Sequence, residues 1–159
     1  WFVKEVYPIV TSNLEEVKLH VVGSNMPQHV KELASKNIVI EGYMDDVDLM
    51  TLYEKVRLSI VPLRYGAGVK GKVLEALEKG VPVVTTDIGA EGIPESQNCL
   101  IIENEADSFA KKIIDVYERE SELALLSERG CTTIEKNFSR ESVLKKIATD
   151  FWINNENIL

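Results

Sequence analysis

Five short apolar runs, each cut off by a turn-forming or charged residue and most followed by a stretch with helical spacing, govern what this chain can fold into. They fall at residues 18–22, 37–41, 58–61, 81–85 and 99–102. Continuous apolar strands of this kind, alternating with helices, signal a parallel sheet covered on both faces. Right-handed crossovers then give a doubly wound α/β fold whose ligands bind beyond the carboxyl ends of the strands. The loops after Val22, Glu41, Val61 and Thr85 all fall on that edge. Phe2, Val3, Val6, Ile9 and Val10 follow helical spacing, which predicts a helix over residues 1–12 kinked at Pro8. Pro27 opens a helix reaching Ser35, and Asp45 or Asp46 caps one through Lys55, with Val47, Leu49, Met50, Leu52 and Tyr53 on its buried side. A helix over 70–79 is ended by Gly80. Residues 87–98 read as a loop, and helices follow at 105–119, 121–136 and 139–152.

The loop after the third run carries the most chemistry. Pro62-Leu63-Arg64-Tyr65-Gly66-Ala67-Gly68-Val69-Lys70-Gly71-Lys72 leaves a strand, bends through glycines and opens an amphipathic helix. Gly66 and Gly68 let backbone amides approach a ligand closely because no Cβ intervenes. A helix N-terminus adds unpaired N–H groups and about half a unit of positive charge, so an anion suits it. Glu75, one turn further in, has a carboxylate able to accept hydrogen bonds from sugar hydroxyls. Together these residues describe a place for a phosphate joined to a sugar.

With 159 residues the chain is one domain or most of one. Its net charge of −8 argues against nucleic acid and anionic membrane as main partners. No apolar run approaches the roughly 18 residues of a membrane span, and Trp1-Phe2-Val3-Lys4-Glu5 is not a signal peptide. Cys99 and Cys131 lack metal-ligand spacing, and no metal-binding cluster is visible, so a reduced cytoplasmic setting is expected, with the inner membrane face as a peripheral alternative. A start at Trp1, inside a helical pattern, suggests a fragment of a longer protein.

Several pieces in the right order resemble the C-terminal, donor-binding domain of retaining group 1 glycosyltransferases of the GT-B fold. They are Leu19-His20-Val21-Val22-Gly23, the Gly42-Tyr43-Met44-Asp45 turn, Pro62-Leu63-Arg64 with Gly66-Ala67-Gly68, Lys72-Val73-Leu74-Glu75-Ala76-Leu77, Gly80-Val81-Pro82-Val83-Val84-Thr85-Thr86 and Gly89-Ala90-Glu91-Gly92. The resemblance covers nearly the whole chain, residues 1–159, and is specific as a set. It implies transfer of a sugar from a nucleotide-activated donor, with no metal and no cofactor. Arg64, Gly66, Ala67, Gly68, Val69 and Lys72 are then expected at the donor diphosphate or sugar, and Glu75 at the ribose as the second glutamate of the family's Glu-x7-Glu pattern. Gly42, Tyr43 and Met44 match the turn that holds the base. Ala67 stands where the first glutamate of that pattern would be. The first strand, its cationic loop and the acceptor-binding N-terminal domain are missing, so this piece is expected to bind donor weakly and to be inactive alone.

Against these roles stand plainer ones. Lys72, Lys70 and Arg64 belong to phosphate contacts or to a solvated face, and Arg64 has Glu91 as an alternative partner. Glu75 has Lys79 at i+4. Asp87, Glu91 and Glu95 read as a loop rim, with Glu91 a possible contact to the donor sugar. His20 reads as a buried structural histidine and His29 as exposed; Cys99 reads as a small buried hydrophobe and Cys131 as a helix residue. Trp1 and Trp152 are expected to pack within this domain or against the absent one.

Two rival enzymes remain: a sugar-nucleotide epimerase of the same architecture, and an NAD-dependent oxidoreductase. The latter has Gly66-Ala67-Gly68-Val69-Lys70-Gly71 as a literal G-x-G-x-x-G and Asp87 as its acidic partner. A nucleotide-sensing module without catalysis is the non-enzymatic alternative. Loss of the first strand, which sits centrally in such sheets, leaves two inner edges. These are expected to be covered by a partner chain or terminal segment, in a homo-oligomer or by strand exchange, or to close up.

Overall fold

A computed structural model describes residues 1–155, with side chains through Thr149. A π-helical segment, Phe2–Val6, runs into α1 (Tyr7–Asn13). There follow β1 (Leu19–Val22), α2 (Gln28–Lys31), β2 (Ile38–Gly42), α3 (Asp46–Tyr53), β3 (Ser59–Val61), α4 (Gly71–Glu78) and β4 (Val83–Thr85). The chain continues with α5 (Asp87–Ala90), a 3-10 turn at Ser96–Asn98, β5 (Leu100–Ile102), α6 (Ala106–Tyr117), α7 (Glu120–Phe138) and α8 (Arg140–Asn155). The doubly wound α/β expectation holds, and all the strand pairings are parallel.

Alternation along β4 shows how the layers form. Val84 points to a core built with Phe2, Val6, Tyr7 and Val10 of the first helical segment and Phe109, Ala110 and Ile113 of α6. Val83, the residue before it, joins Val73, Ala76 and Leu77 of α4 on the opposite face. Both faces are thus covered by helices, as continuous apolar strands require.

Local chemistry accounts for most boundaries. The Asp45 carboxylate accepts from the amides of Val47 and Asp48 at 3.0 and 2.9 Å, so Asp45 caps α3. At the end of α4 the Gly80 amide reaches the Leu77 carbonyl and the Val81 amide reaches that of Ala76, with Gly80 at φ +71°. This is the paired reverse bonding of a Schellman end, and it needs a left-handed residue.

Four expectations are corrected. The kinked helix over 1–12 is a π-helical turn joined to an α-helix, because Pro8 brings no N–H and its ring displaces the preceding turn. The helix expected over 27–35 is one turn, α2, without a buried residue to anchor it. Residues 87–98 hold α5 and a 3-10 turn rather than open loop, because the Thr86 hydroxyl accepts from the Gly89 amide and caps α5. The Trp152 side chain lies outside the described residues.

The fourth correction concerns the missing central strand. The strands form two separate sheets, β1-β2 and β3-β4-β5. Between β1 and β3 the gap has not closed: a cleft of about 480 Å³ is lined by Leu19, His20 and Val22 on one side and residues 58–61 on the other, over Phe2, Tyr7 and Val10. Closing it would shift one sheet by about one strand spacing, or about 5 Å. The first core cluster forbids that, since it ties Ile38 of β2 and Val84 of β4 to the same helices.

Candidate functional site

The loop between β3 and α4 is held from below and open above. Thr85 and Thr86, both buried, donate their hydroxyls to the carbonyls of Val61 at 2.8 Å and Leu63 at 2.5 Å. The end of β4 therefore fixes where the chain leaves β3. Gly89 permits this arrangement: a Cβ there would stand 1.9 Å from the Thr85 hydroxyl oxygen and 3.2 Å from the Val61 carbonyl. Residues 64–69 are all exposed, with Gly66 at φ +128° and Gly68 at φ +73°, so the bend presents its backbone to solvent.

Lys70 departs from both readings made of it. It is buried, at 9% exposure, and its ammonium donates to the Gly68 carbonyl and to the Glu91 carboxylate at 3.1 Å. It staples the bend to the segment after α5, and is neither a solvated face nor a free cation. Glu91 is thereby committed to Lys70, leaving Arg64 without that alternative. Arg64 instead stacks on the Trp1 ring at 4.7 Å and donates to the Asn104 carbonyl at 2.7 Å. Trp1 in turn packs edge-on against Phe109, 5.7 Å between centroids, so it lies within this domain. Asn104 also bonds Asp87 in both directions, which places Asp87 on the rim.

Lys72, in the first turn of α4, is exposed and pairs with no carboxylate among the described residues. Glu75 is half-buried one turn further along, and Lys79 pairs with Glu78 at 3.6 Å rather than with Glu75. Glu75 faces Tyr53 of α3, whose hydroxyl is pushed up to about 12 by burial first and by the Glu75 carboxylate second. The sequence reading places Tyr53 with Val47, Leu49, Met50 and Leu52 on the buried side of α3, so no signal singles it out. That expectation is corrected, since α3 has no buried residue and Val47 and Met50 are exposed.

Gly42 closes β2 at φ +74°, Tyr43 is 77% exposed and Met44 half-buried, so the turn presents an exposed aromatic face. It belongs to the β1-β2 pair, whereas Gly66, Ala67, Gly68, Val69, Lys72 and Glu75 follow β3. The two groups share the carboxyl edge, and Tyr53 and Lys72 stand at the cleft between the sheets.

The histidines divide. His29 is exposed as expected, whereas His20 is corrected from a buried residue to a half-buried one whose Nδ1 lies 2.7 Å from the Glu41 carboxylate on the neighbouring strand. Cys99 is buried, its thiol pushed up by that burial, and the Cys131 thiol donates to the Leu77 carbonyl. Among the described residues no helix is long and apolar enough to cross a membrane.

The glycine pattern of a dinucleotide fold requires a first glycine closing the strand and a third that lets helix and strand touch. Here β3 ends at Val61, well before Gly66, and a Cβ on Gly71 would meet nothing within 4 Å. The loop therefore lacks the geometry that gives that pattern its meaning.

Residues 1–119 match the family model for glycosyl transferases group 1. The chain belongs to that family. A curated relative, an uncharacterized 44.6 kDa protein of the cps region of Klebsiella pneumoniae, is 28% identical over 155 residues. That alignment takes in 92% of this chain, which spans 40% of the relative's length. Among solved structures, a mutant of S. aureus TarM in complex with UDP, fondaparinux and alpha-GlcNAc-glycerol superposes with a TM-score of 0.74 at 23% identity, over 94% of this chain and 31% of that one. Anabaena HepE in complex with UDP and glucose gives 0.74 at 17% identity, over 92% and 43%. Sucrose-phosphate synthase from Thermosynechococcus elongatus gives 0.71 at 16%, over 96% and 43%. At these identities the superpositions establish the fold, that of the C-terminal half of GT-B enzymes.

Proposed function

We propose that this chain is the donor-binding half of a glycosyltransferase that takes its sugar from a nucleoside diphosphate. The observation that carries the reading is the open, glycine-bent loop at the start of α4 with Glu75 one turn behind it. In this reading the diphosphate lies against the amides of residues 66–69 and the start of α4, with the exposed Lys72 as its cation. The Glu75 carboxylate accepts from the ribose hydroxyls, held in place by Tyr53. The base lies on the turn at Gly42, Tyr43 and Met44.

The chemistry follows from charge. Breaking the bond between sugar and diphosphate builds negative charge on the departing phosphate. Amides fixed at a helix start stabilise that charge without reorganising, and in comparable anion holes one such donor contributes about 3 kcal/mol. Lys70 keeps the loop in shape and Arg64 anchors its base, so neither is assigned to the phosphates. Glu91 is assigned to Lys70 rather than to the donor sugar. Transfer with retention at the anomeric carbon and without a metal ion belongs to the same proposal, as does a need for the acceptor-binding domain before turnover.

The test is calorimetric titration of the full-length protein with UDP, GDP and ADP against NAD. Binding of one nucleoside diphosphate with no binding of NAD supports the reading. Binding of NAD alone would overturn it.

A further inference from the structure

Two consecutive residues fasten the second half of the β3–α4 loop to the segment after α5. Lys70 meets Glu91, and its neighbour Val69 meets Gly92. A Cβ on Gly92 would stand 2.6 Å from the Val69 Cγ2 methyl, where ordinary contact begins near 3.4 Å. The space that a side chain would fill is thus taken by the Val69 isopropyl group. Gly92 also has φ +75°, so glycine there meets two demands, one of conformation and one of room.

The two sides of this contact are held unequally. Gly92 lies between Ala90 and Ile93, which are buried in one cluster with Val61, Val73 and Val83. The Ile93 amide also closes back on the Ala90 carbonyl at 3.2 Å. Residues 64–69 are exposed, and their backbone amides donate to no acceptor among the described residues. Close packing therefore fixes position 92, while position 69 is free to yield.

One peptide unit gathers these constraints. The Gly68 carbonyl accepts from the buried Lys70 ammonium. The Val69 N–H belongs to the same planar trans unit, so it points the opposite way, away from that ammonium. Lys70 holds the unit by its carbonyl and Gly92 holds it by the Val69 side chain. A plane held at two points has its N–H direction set.

We infer that Gly92 is a positioning residue for the donor, acting through Val69 to aim the Val69 amide at the diphosphate. The inference rests on the donor-site reading above. A side chain at position 92 would push Val69 back by about 1 Å, from 2.6 Å to an ordinary contact. An N–H···O bond stretched that far beyond about 2.9 Å is lost.

A double-substitution cycle on the full-length protein tests this, read by calorimetric titration with whichever of UDP, GDP or ADP binds best. Gly92→Ala is expected to weaken that nucleotide at least tenfold, the loss of one amide bond to a charged phosphate. Val69→Ala removes the methyl that the new Cβ would strike, and the nearest remaining atom is then the Val69 nitrogen at 3.6 Å. In the Val69→Ala background Gly92→Ala is therefore expected to cost less than about threefold. The positive φ still strains an alanine there, so its loss in melting temperature is expected to survive in that background. Affinity that recovers while stability does not separates positioning from general destabilisation. Unchanged affinity in Gly92→Ala would overturn the inference, and so would losses of affinity that simply add. Should Gly92→Ala fail to fold, Val69→Ala alone carries the test. It keeps the amide but frees one support, and is expected to weaken the nucleotide about three- to tenfold; unchanged affinity would overturn the inference. A full-length protein that binds none of the three nucleotides contradicts the proposed function and this inference with it, whereas binding with additive losses contradicts the inference alone.

Discussion

The Lys70 ammonium lies 3.1 Å from the Glu91 carboxylate, with the lysine buried and the glutamate half exposed. This asymmetry decides which half of the pair matters more. Removing the carboxylate leaves a buried cation with only the Gly68 carbonyl for company, whereas removing the cation leaves a carboxylate that water can reach. Glu91→Gln is expected to lower stability by about 1–2 kcal/mol, and Lys70→Met by less. Thermal denaturation checks the order: the Glu91 variant is expected to melt several degrees below the Lys70 variant.

Gly89 has no room for a side chain. A Cβ would press on the Thr85 hydroxyl oxygen and crowd the Val61 carbonyl, breaking the bond that ties β4 to the exit of β3. Gly89→Ala is expected to cost about 2 kcal/mol or more. Urea denaturation measures it, and nucleotide affinity is expected to fall in parallel because the same bond positions the loop.

Tyr53 adds a pH dependence. Burial first, and Glu75 second, raise its hydroxyl to about 12, above the ordinary tyrosine value of 10.0. The folded protein therefore holds this proton more tightly than the unfolded chain. The contribution is fully present below pH 10 and is lost as pH climbs through 12. Tyr53→Phe removes this component. Measured from pH 9 to 12, the stability of the variant is expected to decline less steeply than that of the unsubstituted protein.

Much of this was legible in the residues themselves. The five strands, the Asp45 cap and the Gly80 stop were readable because each rests on near neighbours in sequence, a run, a cap or a left-handed turn. What could not be read depends on distant parts of the chain. Lys70 looks like any helix-start lysine until the segment carrying Glu91 folds over it. Arg64 looks like a phosphate ligand until Trp1, at the far end of the sequence, supplies a ring. His20 faces a polar partner only because β1 and β2 align it with Glu41. Tyr53 belongs to a helix separated from Glu75 by a whole strand. The missing central strand was inferred from order alone, but whether its place would close depended on how firmly α1 and α6 hold the two sheets, which no local pattern records.

The claim on which the functional account turns is that Glu75 grips the pentose of a nucleoside diphosphate held by the loop before α4. It is tested most directly by titrating the full-length protein and its Glu75→Ala variant with whichever of UDP, GDP or ADP binds best, and with the 2′,3′-dideoxy form of the same nucleotide. The account predicts that the substitution weakens the natural nucleotide about 10- to 100-fold, the loss expected for charge-assisted hydrogen bonds, and leaves the dideoxy form unchanged. Equal affinity of both proteins for the natural nucleotide would contradict it.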